Sequence, residues 1–244
     1  MSDSVRLDIF SDYLCPWCYN AAVRLRDVQQ VYGERVRLHW RALPLIPDRQ
    51  PGRRATDKTR EGRRRVGSQE PAAHFVPPAL DTALPSSSVP ALTAAKCAER
   101  QGEACFTRLH ERLFVAHFRD NLDISRYDLL CELAAQSGLD GERFRNDYAS
   151  SEVYEAVLHD CAEGTGWFGV SAVPTVIFNE KLSLVGAVPV DRYRAMIDWL
   201  LAGEPGGVIP LGEEPAGAPA PGQSMAVRAA GRRGAGAPPS EASI

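Results

Sequence analysis

The chain has 244 residues, 44% of them hydrophobic and 24% charged, with a formal net charge of -3. That length holds one large domain or two small ones with a sizeable core, and the charge balance excludes a general attraction to nucleic acid or acidic membranes. No stretch approaches the roughly 18 apolar residues of a membrane span, and a start carrying Asp3, Asp8 and Asp12 is unlike a secretory leader, so a soluble cytoplasmic protein is expected.

Val5, Leu7 and Ile9 alternate with Arg6 and Asp8, the period of a strand. From Cys18, the apolar positions Ala21, Ala22, Leu25, Val28 and Tyr32 form a helical stripe that Gly33 closes. Val36, Leu38, Trp40 and Ala42 then share one face of a second strand ending near Leu43. Strand, helix and strand of these lengths suit a parallel unit with a crossover helix.

Residues 47–87 break the pattern as a Pro- and Arg-rich loop. Arg53, Arg54, Arg63, Arg64 and Arg65 read as a solvated excursion, with an anion- or partner-binding loop as the sharper alternative. No aromatic residues interleave with these arginines, so nucleic acid is not an expected partner. Residues 88–166 read as an inserted helical domain. Leu92, Ala94, Ala95 and Ala98 suit one helix face, Phe106, Leu109, Leu113 and Phe114 another, and Leu129, Leu130, Leu133 and Ala134 a third. Asp123 and Asp140 are expected helix starts and Gly138 a stop.

Thr175 to Phe178 is an apolar run of strand length. Asn179 to Lys181 supplies a turn and Leu182 to Val185 a partner strand. Val190, Tyr193, Ile197 and Leu200 mark a last amphipathic helix, stopped by Gly203. Residues 204–244 are rich in Gly, Pro and Ala and bury too little to offset chain entropy, so a disordered tail is expected. The order is βαβ, a helical block, then ββα. This is an α/β thioredoxin fold: a mixed four- to five-stranded sheet built from residues 1–46 and 167–203, with a helical insertion between the halves.

The chemistry concentrates in SDYLCPWCYNAA, residues 11–22. Six cysteines in a chain this long do not make a disulfide scaffold, and a close pair in a reducing compartment points to catalysis or metal binding. Cys15 falls where the first strand gives way to the helix. Pro16 suits the first helical turn, where its missing N–H breaks no bond. Cys18 lies one turn on, within bonding reach. The helix N-terminus presents free N–H groups and partial positive charge, which favour thiolate over thiol at Cys15. A free cysteine near pKa 8.5 falls to about 3.5–7.5 in such places, and a disulfide through it becomes more oxidising. Cys15 is therefore the expected nucleophile and Cys18 the resolving thiol. Trp17 reads equally as substrate-facing surface or as packing over the helix start.

Val173-Pro174 immediately precedes the strand at Thr175, where a proline is tolerated. In a thioredoxin fold this proline is cis and faces the dithiol, leaving the backbone of Val173 to pair with a substrate chain by strand addition.

SDYLCPWCYNAA, SSSVPALTAAKCAERQG, SGLDGERF and GVSAVPTVIF together resemble a DsbA-like thioredoxin-fold oxidoreductase, in its cytoplasmic FrnE-like branch, over roughly residues 4–202. The resemblance carries the nucleophile to Cys15, the resolving thiol to Cys18 and the cis-proline to Pro174, with Pro16, Trp17 and Val173 around the substrate. It implies oxidation, reduction or isomerisation of thiols and disulfides in proteins or small thiols. It implies a redox-active disulfide, no bound metal or nucleotide, and glutathione as a candidate co-substrate. A homodimer is an open state of assembly.

Cys97, Cys105, Cys131 and Cys161 read as small hydrophobes, with contact between Cys97 and Cys105 on successive helices left open. One C-x-x-C with no H-x3-5-H is too little for zinc, and His110 and His117, seven apart, read as surface or partly buried. Asp12, three residues before Cys15, is expected to cap the helix, with proton transfer as the alternative. Tyr13, Tyr19 and His39 read as packing or rim residues. Two other functions compete with thiol-disulfide exchange. One is a non-catalytic thioredoxin-fold peptide-binding module or chaperone. The other is a glutathione-dependent isomerase of the 2-hydroxychromene-2-carboxylate type, against which the intact dithiol counts.

Overall fold

The computed structural model describes residues 4–204 and the backbone of Arg228 and Ala229. Strand β1 (Val5–Ser11) leads into helix α1 (Pro16–Tyr32), which returns to strand β2 (Val36–Ala42). Pro16 occupies the first turn of α1. At its other end Gly33, at φ 56°, takes a backbone conformation most side chains avoid, and its N–H donates to the Gln29 carbonyl. β2 runs parallel to β1, with Val5 opposite Val36 and Ile9 opposite Trp40.

The second half of the sheet is the hairpin of β3 (Thr175–Phe178) and β4 (Leu182–Val185). Asn179 and Glu180 both have positive φ, at 46° and 57°, the backbone twist a tight hairpin turn requires. β3 pairs antiparallel with β1, setting Phe178 opposite Leu7 and Val176 opposite Ile9, and so joins the two halves of the chain. A two-residue strand, β5 (Arg228–Ala229), extends the sheet beyond β4, giving the order β2-β1-β3-β4-β5. The chain is thus the mixed α/β sheet of a thioredoxin fold. Beyond Glu204 the stretch expected to be disordered lies outside the described residues, except for this strand.

One face of the sheet packs Leu7, Ile9, Val176 and Phe178 against Leu25 and Val28 of α1 and against helix α8 (Val190–Leu201), through Tyr193, Met196, Ile197 and Leu200. The other face buries Phe10 and Ile177 with Leu43 and Val170. A third cluster lies among the inserted helices and reaches Tyr13, Cys15, Cys18, Tyr19 and Val23 at the start of α1.

The region expected to be loop, residues 47–87, contains a helix, α2 (Asp57–Gly67). Thr56 accepts from the Thr59 N–H, and the Thr59 hydroxyl accepts from the Thr56 N–H, which closes a capping box. Arg63, expected to be solvated, is buried. It donates to the His117 carbonyl at 3.1 Å and to Asn121 Oδ1, and lies over the Phe118 ring. Burial lowers its pKa to about 10. The arginine run therefore splits between a packed face and a wet one, as a helix requires.

Five helices fill the insertion: α3 (Val89–Arg100), α4 (Glu103–Phe118), α5 (Tyr127–Gln136), α6 (Gly141–Tyr148) and α7 (Ser151–Ala162), the last running on into a π turn at Glu163–Trp167. Asp140 caps α6, accepting from the N–H groups of Glu142 and Arg143 at 2.9 Å each. Asp123 starts no helix; its carboxylate closes a turn onto Ser125, and α5 begins four residues later.

Candidate active site

Cys15 stands at the N-cap of α1 with extended backbone, and its carbonyl accepts from the N–H groups of Cys18 and Tyr19. No side chain caps this end, and no acidic residue lies in the first turn. The positive end of the helix dipole is therefore free of a side-chain cap where Cys15 stands. Cys18 sits one turn deeper, within hydrogen-bonding reach of Cys15. Its thiol is raised well above the usual range, first by burial and then by the adjacent Cys15 sulfur. Contacts to the Ser11 side chain and the Asp12 N–H offset part of that. Both sulfurs belong to buried residues, Cys15 at 4% exposure and Cys18 at 0%.

The Val173-Pro174 peptide is cis. The Cys15 thiol donates to the Val173 carbonyl at 3.6 Å, so residues 158 positions apart in sequence meet here. In this structure the Val173 carbonyl, expected to pair with a substrate chain, accepts from the nucleophile's own thiol. Pro16 and Trp17 are half-buried, and Trp17 packs against the helical cluster. The fold thus brings Cys15, Cys18, Val173 and Pro174 together, where the sheet half meets the inserted helices.

Asp12 does not cap α1. It is fully buried. Its Oδ1 accepts from the Leu14 N–H at 2.7 Å, and its Oδ2 accepts from the Leu45 N–H at 2.6 Å and the Ser88 hydroxyl at 2.5 Å. The carboxylate ties the loop bearing Cys15 to the segment after β2 and to the start of α3. Burial raises its pKa, and these three hydrogen bonds hold it back.

His110 and His117 are buried rather than superficial, and burial drives both down to about 3. His110 Nδ1 pairs with the Tyr13 hydroxyl at 2.9 Å, joining α4 to the cysteine-bearing loop. The signal for this contact was the spacing of Phe106, His110, Phe114 and Phe118, four rings on one face of α4. Tyr13 and Tyr19 are buried packing residues, and exposed His39 pairs with Asp8 at 2.8 Å. Cys97 is buried, whereas Cys105, Cys131 and Cys161 are half-exposed. Among the described residues no group of three or more His, Cys, Asp and Glu side chains is placed to hold a metal ion.

Comparison with known proteins agrees with this geometry. The family model described as a DSBA-like thioredoxin domain matches residues 6–198. The chain is similar to the ClpXP adapter protein SpxH of Halalkalibacterium halodurans, with 26% identity over 215 residues, covering 80% of this chain and 67% of that protein. Among solved structures it resembles a probable DsbA oxidoreductase of Streptomyces coelicolor. That match has TM-score 0.66 and 22% identity, covering 90% of this chain and 97% of the other. It also resembles the cytosolic disulfide reductase DsbM of Pseudomonas aeruginosa, with TM-score 0.59 and 17% identity over 81% of this chain and 95% of the other. These structural likenesses carry the fold.

Proposed function

Because this chain belongs to the DSBA-like thioredoxin domain family, we propose that it is a thiol-disulfide oxidoreductase working through Cys15 and Cys18. The observation that carries the reading is the asymmetric pair at the head of α1: one sulfur at the helix N-terminus, the other buried a turn deeper with its proton held. In the reductive direction, the Cys15 sulfur anion attacks a substrate disulfide. A new S–S bond forms to one substrate sulfur and the other leaves as a thiolate. Cys18 then attacks the Cys15 sulfur, its proton passing to the departing second thiolate. The enzyme is left with a Cys15–Cys18 disulfide and the substrate with one thiol and one thiolate, which takes its proton from solvent. Two molecules of a small thiol such as glutathione restore the dithiol by the same exchange; run in reverse, the sequence oxidises a substrate.

Val173 and Pro174 form the wall opposite the nucleophile. A substrate chain that pairs with the Val173 backbone takes the place of the Cys15 thiol on its carbonyl, freeing that sulfur to react. Half-buried Pro16 and Trp17 form the rim of the same surface. A cytosolic reductase among the structural neighbours supports a cytoplasmic setting and the reducing direction.

The test is disulfide reduction of insulin with dithiothreitol as reductant. Cys15→Ser is expected to abolish the activity, and Cys18→Ser to accumulate a mixed disulfide at Cys15. Full activity in Cys15→Ser overturns the proposal. The adapter among the relatives supports a second reading, a binding module of the same fold, which predicts partner binding unchanged by loss of both thiols.

A further inference from the structure

A cleft of about 780 Å³ opens between α1, β2 and α4, and neither cysteine nor Val173 nor Pro174 lines it. Its walls are rings and branched side chains, among them Tyr19, Leu38, Trp40, Phe106, His110 and Phe114. The volume is that of a small-molecule site, and buried or half-buried apolar side chains line it together with exposed charged ones. We propose that this cleft binds a small, neutral, planar aromatic molecule carrying a hydroxyl group, at a site separate from the dithiol.

Three observations fix that class. The first is the wall: the Trp40 ring centroid lies 4.2 Å from that of His110, with Phe106 at 5.3 Å and Phe114 at 5.2 Å. Such an assembly of faces and edges favours another flat ring. The second is His110 itself. Its Nδ1 is tied to Tyr13, and its Nε2, buried among these rings, has no hydrogen-bond partner among the described residues. A buried polar atom left so is costly and calls for a partner. The Tyr13 contact leaves either tautomer open, so Nε2 is a donor or an acceptor; a hydroxyl group, which does both, satisfies either. The third is the rim: its charged side chains, Arg26, Glu34, Arg37, Glu103 and Glu111, are exposed and of both signs, and Arg26 pairs with Glu111 across it at 3.4 Å, so no buried charge is there to hold an ion.

Equilibrium dialysis of the full chain against 2-naphthol and naphthalene tests this. Saturable binding of both is expected, with 2-naphthol about three- to ten-fold tighter, the range of one hydrogen bond. Ala22→Phe from α1 and Val115→Phe from α4, both half-buried in the cleft wall, fill it from opposite sides. Each is expected to weaken 2-naphthol binding at least ten-fold while leaving insulin reduction unchanged. The double variant Tyr13→Phe, His110→Phe removes the polar pair and keeps the rings, and is expected to bind both probes equally. Absence of saturable binding, wild-type affinity in both filled variants, or a hydroxyl preference surviving in the double variant overturns the proposal.

Discussion

His110 and His117 enter the interior uncharged, and that has a measurable consequence. Both sit near pKa 3 in the folded chain, against about 6.5 when unfolded. The unfolded chain therefore binds their protons first. The stability they confer is complete above pH 6.5 and is lost as pH falls toward 3. Between pH 7 and pH 5 each contributes a loss of about 2 kcal/mol. Asp12 and Glu99, whose carboxyls burial raises, act in the opposite sense. Urea unfolding is expected to show a midpoint falling from pH 7 to pH 5, with a smaller fall in His110→Phe. An equal fall in that variant would remove His110 from the account. At this scale the placement of Cys15 at the helix start, Cys18 one turn on and the cis peptide before Pro174 was legible, because residue type at fixed spacing sets it. The burial of His110 was written in the four-residue spacing of its ring neighbours and went unread, since two histidines on a helix face look the same wet or dry. Asp12 was legible as a hydrogen-bonding carboxylate and not in its partners, which come from segments 33 and 76 residues away.

Elements with a clean period were readable end to end. β1, β2, β3 and β4 alternate or run apolar, and α1 and α8 carry stripes bounded by Pro16, Gly33 and Gly203. α2 was not, because four arginines and two glycines mask an apolar face reduced to Val66 and the stem of Arg63; only the Thr56–Thr59 box signalled it. The π turn after α7 follows no composition rule. Its reason is packing: Gly164 lies so close to Phe10 that an added Cβ would sit 2.5 Å from the ring. Phe10 is fully buried between this turn and the sheet, so it has nowhere to move. Gly164→Ala is expected to destabilise the fold by about 1–3 kcal/mol in chemical denaturation, the usual cost of overpacking. A neutral substitution would show that the turn yields.

Over the whole molecule, a few buried polar groups tie the sheet half to the segment after α2 and to the inserted helices. Arg24 on α1 donates to the carbonyls of Ala187 at 2.6 Å, Val188 at 3.0 Å and Gln69 at 2.8 Å, and pairs with Glu70 at 2.8 Å. Across the sheet, Asp160 of α7 accepts from the Ala42 N–H at 2.9 Å and pairs with Lys96 of α3 at 2.8 Å. Arg24→Met keeps the apolar stem and strands three carbonyls and a carboxylate. It is expected to cost about 3 kcal/mol in chemical denaturation, while thiol exchange below the transition persists. Such ties were invisible in the sequence because each spans 45 or more residues.

That framework sets one sulfur at the head of a helix and a protonated one a turn behind it, and the central claim is that these two exchange a disulfide. Equilibration of the chain in a series of glutathione redox buffers, followed by acid quench, alkylation and mass spectrometry of the peptide holding residues 15 and 18, measures this directly. The account predicts one transition in which both thiols disappear together and the peptide loses two hydrogens. Two thiols that stay alkylatable across the series, or that take up glutathione independently, would contradict it.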